Sequence, residues 1–350
     1  MDFRAVEIRD KRTIFYVILS TMETQRFKPK EVLFCPTTQC NLRCAHCDTK
    51  QLNRTISIKT ALRFLVACKK AGIKRVGFTG GEPFLALDFL CAITKRAAHL
   101  GMLFDRIMTN AGWFKNQKEL TQALLCLFRS GYDGNFSIGV DAFHRQNLLK
   151  VACFINVAIE IWKRPDIVSI AAVKGAKEAE THKRLSGMSR RLHSRLSNSP
   201  LRNGYLKRNG LFVRIFSIDL SAVGKAAQLK DGWDGKWFRD DFCAGPGNVF
   251  FVLPDGTVKP CCGFASDADI LTLGSIKRDS PKKLLQNARR NRFIATIFER
   301  GFHPLRKQLE STGINFPGKT TNHCLFCDYL THYLPRPLLN KYLDAPSKDS

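Results

Sequence analysis

Val32-Leu33-Phe34-Cys35 runs through Pro36-Thr37-Thr38-Gln39 into Cys40-Asn41-Leu42-Arg43-Cys44-Ala45-His46-Cys47. A short apolar run of strand character thus delivers the chain into a loop whose thiols are spaced Cys-x3-Cys-x2-Cys. Three thiolates from one loop can hold three irons of a cubane [4Fe–4S] cluster and leave the fourth iron open. A cluster that only carries electrons is normally closed by a fourth cysteine. Structural zinc, with Cys35 as the fourth thiolate, is the competing reading. Cys35, however, falls within the apolar strand, where it is expected to face the core.

Outward from this loop, short apolar runs alternate with helical patterns. Helices are predicted over 58–71, 85–100, 117–130 and 147–162. Strands are predicted at 32–35, 75–78, 102–108, 136–140, 167–173 and, after a basic helical stretch, 211–216. Strands alternating with helices are the mark of parallel βα units. Six such units predict an open or partial barrel rather than full eight-fold closure. Beyond about residue 232, Cys, Gly and Pro rise, and Phe250–Val258 reads as a hairpin about an Asp-Gly turn. A basic helix is expected near 281–298. The predicted organisation is an N-terminal extension (1–30), a barrel (31–235), a small cysteine-rich α+β domain (236–335) and a C-terminal tail (336–350).

Composition narrows the class. The 350 residues are 44% hydrophobic and 25% charged, which excludes a disordered or collagen-like chain. No apolar run approaches the ~20 residues that span a bilayer. The best candidate, Thr13–Ser20, is too short, lacks a small-residue cleavage site, and is read as a helix or strand packed on the body. Thirteen cysteines, unevenly spaced, do not fit a small secreted disulfide scaffold. Cluster or metal ligation in a reducing cytoplasm fits better. Cys68, Cys91, Cys126 and Cys153 stand alone in apolar stretches and are expected as reduced core thiols.

The second predicted strand ends in Phe78-Thr79-Gly80-Gly81-Glu82-Pro83. Glycine lets backbone approach closely, and a glutamate there can accept hydrogen bonds from an ammonium group. Taken with the cysteine loop, this turn resembles the radical S-adenosylmethionine (SAM) superfamily. The resemblance implies that Cys40, Cys44 and Cys47 carry a [4Fe–4S] cluster whose open iron is chelated by the amino and carboxylate groups of SAM. Gly80, Gly81 and Glu82 would then lie beside the methionine amine, and His46 at the place usually held by an aromatic residue near the adenine. Ser137-Ile138-Gly139-Val140-Asp141 resembles the segment whose Ser and Asp contact the ribose or carboxylate. Ile218–Ala226 resembles a post-barrel segment commonly reading Gly-Arg-Ala, with Lys225 replacing the Arg. The implied chemistry is one-electron cleavage of SAM to a 5′-deoxyadenosyl radical that abstracts hydrogen from an unactivated C–H bond. An external reductase, flavodoxin or ferredoxin would supply the electron.

Cys243, Gly256, Cys261 and the pair Cys324-Leu325-Phe326-Cys327 resemble the auxiliary-cluster domains called SPASM and, in shorter form, twitch. Four cysteines (Cys243, Cys261, Cys324, Cys327) would close a single auxiliary [4Fe–4S] cluster, with Cys262 spare; a zinc knuckle on the same thiolates is the alternative. A closed cluster beside a radical site implies net two-electron oxidation or cross-linking of a peptide or small metabolite. The molybdenum-cofactor relative ends in Gly-Gly, which the terminal Pro346–Ser350 lacks, so that assignment is discounted.

The net charge is +26, concentrated in residues 174–214 and 278–306. It reads either as a solvated face or as a footprint for an anionic partner: an acidic peptide, a phosphorylated metabolite or RNA. No RNA-binding motif accompanies it. A non-catalytic iron–sulfur or zinc protein binding nucleic acid through this surface is the alternative to an enzyme, and it would have no use for Gly80-Gly81-Glu82.

Overall fold

The computed structural model describes residues 27–47, 49, 54–175, 177–221, 224–228, 233, 235–238, 243 and 247–343. The apolar segment Thr13–Ser20 lies outside the described residues. Six parallel strands form the centre: β1 (Glu31–Phe34), β2 (Arg75–Phe78), β3 (Leu103–Thr109), β4 (Asn135–Gly139), β5 (Val168–Lys174) and, after two short strands, β8 (Leu211–Asp219). The crossovers are α1 (Ile58–Lys70), α2 (Leu87–His99), α3 (Gln117–Arg129), α4 (Leu148–Trp162) and α5 (Glu178–Arg191). Their starts follow from sequence. Ser57 accepts the Thr60 N–H at the head of α1. At α3, Asn116 accepts the Glu119 N–H while Glu119 reaches back to Lys115 N–H, a reciprocal cap.

The strands are buried by apolar side chains from the helices. Phe34, Phe78, Phe89, Phe136 and Phe154 are all fully enclosed, and the Trp162 indole N–H reaches Tyr132 O at 2.7 Å. The opposite sheet face stays partly open. On β8, Val213 and Ile215 are buried while Phe216 and Ile218 are exposed, as expected of alternate residues on one strand.

Two features depart from the sequence reading. The basic stretch 174–210 is only half helical: α5 gives way to β6 (Arg195–Leu196) and β7 (Tyr205–Arg208), with β6 antiparallel to β7 and β7 antiparallel to β8. Pro200, Gly204 and Gly210 interrupt helical periodicity there. Cys91 and Cys126, expected as separate reduced thiols, are joined as a disulfide between α2 and α3 with Cα atoms 6.3 Å apart. The two helices pack side by side and bring the pair together.

The sheet also continues through the boundary expected near residue 235. β9 (Gly247–Val252) pairs parallel with β1, and β10 (Thr257–Cys261) and β11 (Gly274–Ser275) extend it antiparallel. Among the described residues eleven strands run from β11 to β6 without closing. α6 (Pro281–Arg290), α7 (Arg292–Ala295), α8 (Phe302–Ser311), α9 (His323–His332) and α10 (Arg336–Leu343) follow, α10 falling in the segment expected as a tail. Among the described residues no helix is long and apolar enough to cross a membrane.

Candidate functional site

A cavity of about 340 Å3 opens at the C-terminal ends of the parallel strands, the usual ligand position of an open α/β sheet. Cys40, Cys44, Cys47, His46, Gly80, Gly81, Ser137 and Asp141 all line it. The cysteine loop is pressed onto the end of β2. Gly81 N–H donates to Thr37 O at 3.0 Å and Glu82 N–H to Gln39 O at 2.8 Å. A Cβ on Gly80 would stand 2.5 Å from Thr37 O, and one on Gly81 2.5 Å from Thr38 O. Any larger residue would lift the thiols from the sheet.

Glu82 stands apart from this set. It is fully buried behind the cavity wall, and its carboxylate accepts Thr109 Oγ1–H at 2.9 Å, Asn110 N–H at 2.8 Å and Phe84 N–H at 3.2 Å. Burial raises its pKa to about 7 against the opposing pull of these donors.

Asp141 is also fully buried but reaches the cavity. It accepts the N–H groups of Phe143 and His144 and the His144 ring at 2.8 Å. Burial pushes its carboxyl up, yet the His144 bond and charge outweigh that and hold it below the ordinary range. Burial, and then the neighbouring His144, lowers His46 to about 4, so its ring is neutral near pH 7. His46 Nδ1 is buried with no partner, an orphaned polar atom that a polar ligand in the cavity would satisfy.

The thiols themselves argue for a metal centre. Burial, then the charges of Cys47 and Cys40, push Cys44 up to about 12; Lys225 opposes this. Cys40 Sγ accepts Leu42 N–H at 3.4 Å and Asn110 Nδ2–H at 3.7 Å. Such clustered thiols ionise together only against a cationic metal, and a three-thiol set opening on a ligand-sized cavity fits an open-iron cluster. Cys35 lines a different cavity. Its side chain donates to Thr37 O at 3.5 Å, and it is not brought to the loop thiols.

A second, smaller cavity gathers Cys243, Cys261 at the end of β10, and Cys324 and Cys327 of α9, walled by Phe264, Phe302 and Ile297. Burial first, then neighbouring thiols, raise Cys261 and Cys327 and push Cys324 up to about 12. Four thiols in an apolar enclosure fit a closed cluster. A Cβ on Gly247 would stand 2.7 Å from Cys243 Sγ, so the enclosure depends on that glycine. Cys262 points elsewhere, into the cavity that holds Cys35.

Three positions that line these cavities escaped the sequence reading. Asn110, at the end of β3, lines the cavity and links Glu82 to Asn41 and Cys40. Its signal was its place, the residue after a parallel strand ahead of Gly112. His144 is signalled only by the Asp141-x-x-His144 spacing. Phe264 borders both cysteine cavities and had no local signal.

Residues 34–177 match the model of the radical SAM superfamily, and residues 243–308 that of the SPASM iron–sulfur cluster-binding domain. Molybdenum cofactor biosynthesis protein 1 of Drosophila melanogaster is 26% identical over 194 residues, 46% of this chain and 33% of that protein. GTP 3′,8-cyclase of Clostridium acetobutylicum is 27% identical over 157 residues, 42% of this chain and 48% of that one. The chain thus spans at most about half the length of these curated relatives. Native anSMEcpe with bound AdoMet shares the fold at TM-score 0.50 and 13% identity, over 90% of this chain and 99% of that chain. The first domain implies a [4Fe–4S] cluster and SAM, and the second implies auxiliary iron–sulfur clusters.

Proposed function

We infer, for a radical SAM enzyme that carries a SPASM iron–sulfur domain, that substrate C–H hydrogen abstraction at the strand-end cavity ends in two-electron oxidation or cross-linking of a peptide or small metabolite. The observation that supports it best is the convergence on one cavity of the three loop thiols, the Gly80–Gly81 turn, Ser137 and Asp141.

Cys40, Cys44 and Cys47 would hold the SAM-binding cluster, and Cys243, Cys261, Cys324 and Cys327 the auxiliary one. Together, cluster and SAM supply one-electron cleavage of a C–S bond and hence a carbon radical strong enough to take hydrogen from substrate. The chain's own residues position and shield. Glu82 ties the end of β2 to the end of β3, so the cavity floor does not shift when ligand enters. Asp141 fixes the His144 ring and offers negative charge to a cationic or hydroxylated ligand. Neutral His46 offers a flat face and an unused ring nitrogen. Phe264 forms part of the wall of both cysteine cavities and keeps water from the auxiliary thiols.

The test is anaerobic reconstitution followed by incubation with SAM and dithionite. Release of 5′-deoxyadenosine is the expected result. Assembled clusters that cleave no SAM under several reductants would remove the enzymatic reading.

A further inference from the structure

Another cavity, of about 400 Å3, adjoins the strand-end cavity. The two share Thr38, Thr49, Gly80, Met108 and Phe264 as walls, so they are two lobes of one chamber. The second lobe lies under the β9–β10 turn and the segment that follows Cys261. Phe264 borders both lobes and the auxiliary thiol cavity as well. On the radical SAM reading, which this inference rests on, the first lobe is taken by SAM and the second is left for substrate.

The charged side chains that line this chamber are mostly carboxylates, and the buried Lys259 ammonium lies close enough to Asp255 and Asp267 to feel both. Against a net +26, the charged groups of the second lobe are the half-buried Asp255 and the exposed Asp267 and Arg54. The first lobe adds Asp141, bonded to the His144 ring, and the exposed Asp219, paired with Lys174 at 3.3 Å. Among the described residues no lysine lines either lobe. Asp255 Oδ1 accepts the Thr257 N–H within the turn, which holds the carboxylate in place. Asp267 is paired with His332 Nε2 at 3.1 Å, and His332 in turn with Asp328 at 3.0 Å. Phosphate or carboxylate recognition calls for several converging N–H or guanidinium donors, and this chamber has one arginine at its rim. An ammonium group, which only donates, is matched instead by carboxylates and by the hydroxyls of Thr79 and Ser266 in the same wall.

We propose that the second lobe binds an amine-bearing, cationic substrate, whose ammonium group docks against Asp255 and Asp267 while its reacting carbon faces the SAM lobe. The strongly basic outer surface is then separate from substrate choice, and an anionic substrate is not the one this chamber fits.

Cys262 lines the lobe and serves as an internal reporter. Holoenzyme is treated anaerobically with a cationic (trimethylammonioethyl) or an anionic (sulfonatoethyl) methanethiosulfonate, and modification of Cys262 is followed by peptide mass. Cys153 on α4, a half-buried thiol, is the reference. The cation-to-anion rate ratio at Cys262 is expected to exceed that at Cys153. It should fall about tenfold in Asp255→Asn/Asp267→Asn, the scale of two charges removed from a partly solvated site. Asp255→Glu, which keeps the charge, should retain the ratio. Both loaded clusters add negative charge nearby, so the comparison with the Asn variant is the deciding one. A ratio unchanged by that variant, or protection of Cys262 by inorganic phosphate at fixed ionic strength, overturns the proposal. Neither readout needs SAM to be cleaved. A protein that releases 5′-deoxyadenosine but fails here loses only the substrate class, whereas one that assembles no cluster loses the earlier reading.

Discussion

Glu82 Oε2 accepts the backbone N–H of Asn110 at 2.8 Å across 28 positions of sequence. Through that bond the turn after β2 and the turn after β3 move as one piece, and Asn110 in turn donates to Asn41 Oδ1 at 2.8 Å within the cysteine loop. The conspicuous glutamate of the Gly80-Gly81-Glu82 turn therefore acts behind the cavity, holding its walls together.

Replacing it tests that role. Glu82→Gln puts an NH2 group against a backbone N–H whichever way the amide turns, that of Phe84 or that of Asn110, because only the Thr109 hydroxyl can also accept. A buried mismatch of this kind costs about 1–3 kcal/mol. Urea unfolding of the apoprotein should show the loss; an unchanged midpoint would mean that the turn does not depend on this carboxylate.

The same group makes stability depend on pH. Its folded pKa is about 7, raised from 4.5 by burial, so between those values the folded state holds the proton more tightly than the unfolded one. Stability from this group is greatest below pH 4.5, declines as pH rises to 7 and is flat above. The gap between wild type and Glu82→Gln should accordingly narrow from pH 5 to pH 7, by at most ~3 kcal/mol. Glu31, raised to about 7 chiefly by burial, contributes a slope in the same window. A Glu31→Gln background isolates the Glu82 share.

His144 can be displaced without touching its own side chain. Its ring lies across Gly139, where an added Cβ would overlap Nε2 and Cε1. Gly139→Ala should break the 2.8 Å bond to Asp141 and weaken SAM binding to cluster-loaded protein about tenfold, the worth of one charge-assisted hydrogen bond. Equilibrium dialysis measures this, with far-UV circular dichroism as the control for folding. Wild-type affinity in the variant would place the Asp141–His144 pair outside SAM recognition.

Iron content separates the two thiol sets. Fully loaded protein is expected to hold about eight irons per chain, and about four after either Cys40→Ala/Cys44→Ala or Cys324→Ala/Cys327→Ala. Cys35→Ser and Cys262→Ser should leave the count unchanged, because both thiols line the second lobe. Zinc in place of iron at the C-terminal set would convert that site to a structural knuckle.

How much was legible in sequence differs from feature to feature. The six parallel strands and their helices were readable because apolar periodicity and capping residues such as Ser57 and Asn116 act within a few positions. The half-strand character of 195–208 was not, because its basic residues fit an exposed helix face as well as an edge strand. The Cys91–Cys126 pairing depends on how α2 and α3 pack, which no spacing records.

By itself the sequence determined the three-cysteine loop, the glycine turn and the order of βα units, since covalent spacing confines neighbouring residues to one place whatever the rest does. Tertiary structure alone decided which distant residues meet. Sheet order set β9 beside β1 and so put the segment after Cys261 against the strand-end cavity. It also put Glu82 behind the wall, and Asp255 and Asp267 around a chamber whose charged side chains are mostly carboxylates. Electrostatic sign at a site depends on distance and burial rather than on composition, so a net +26 could not reveal it.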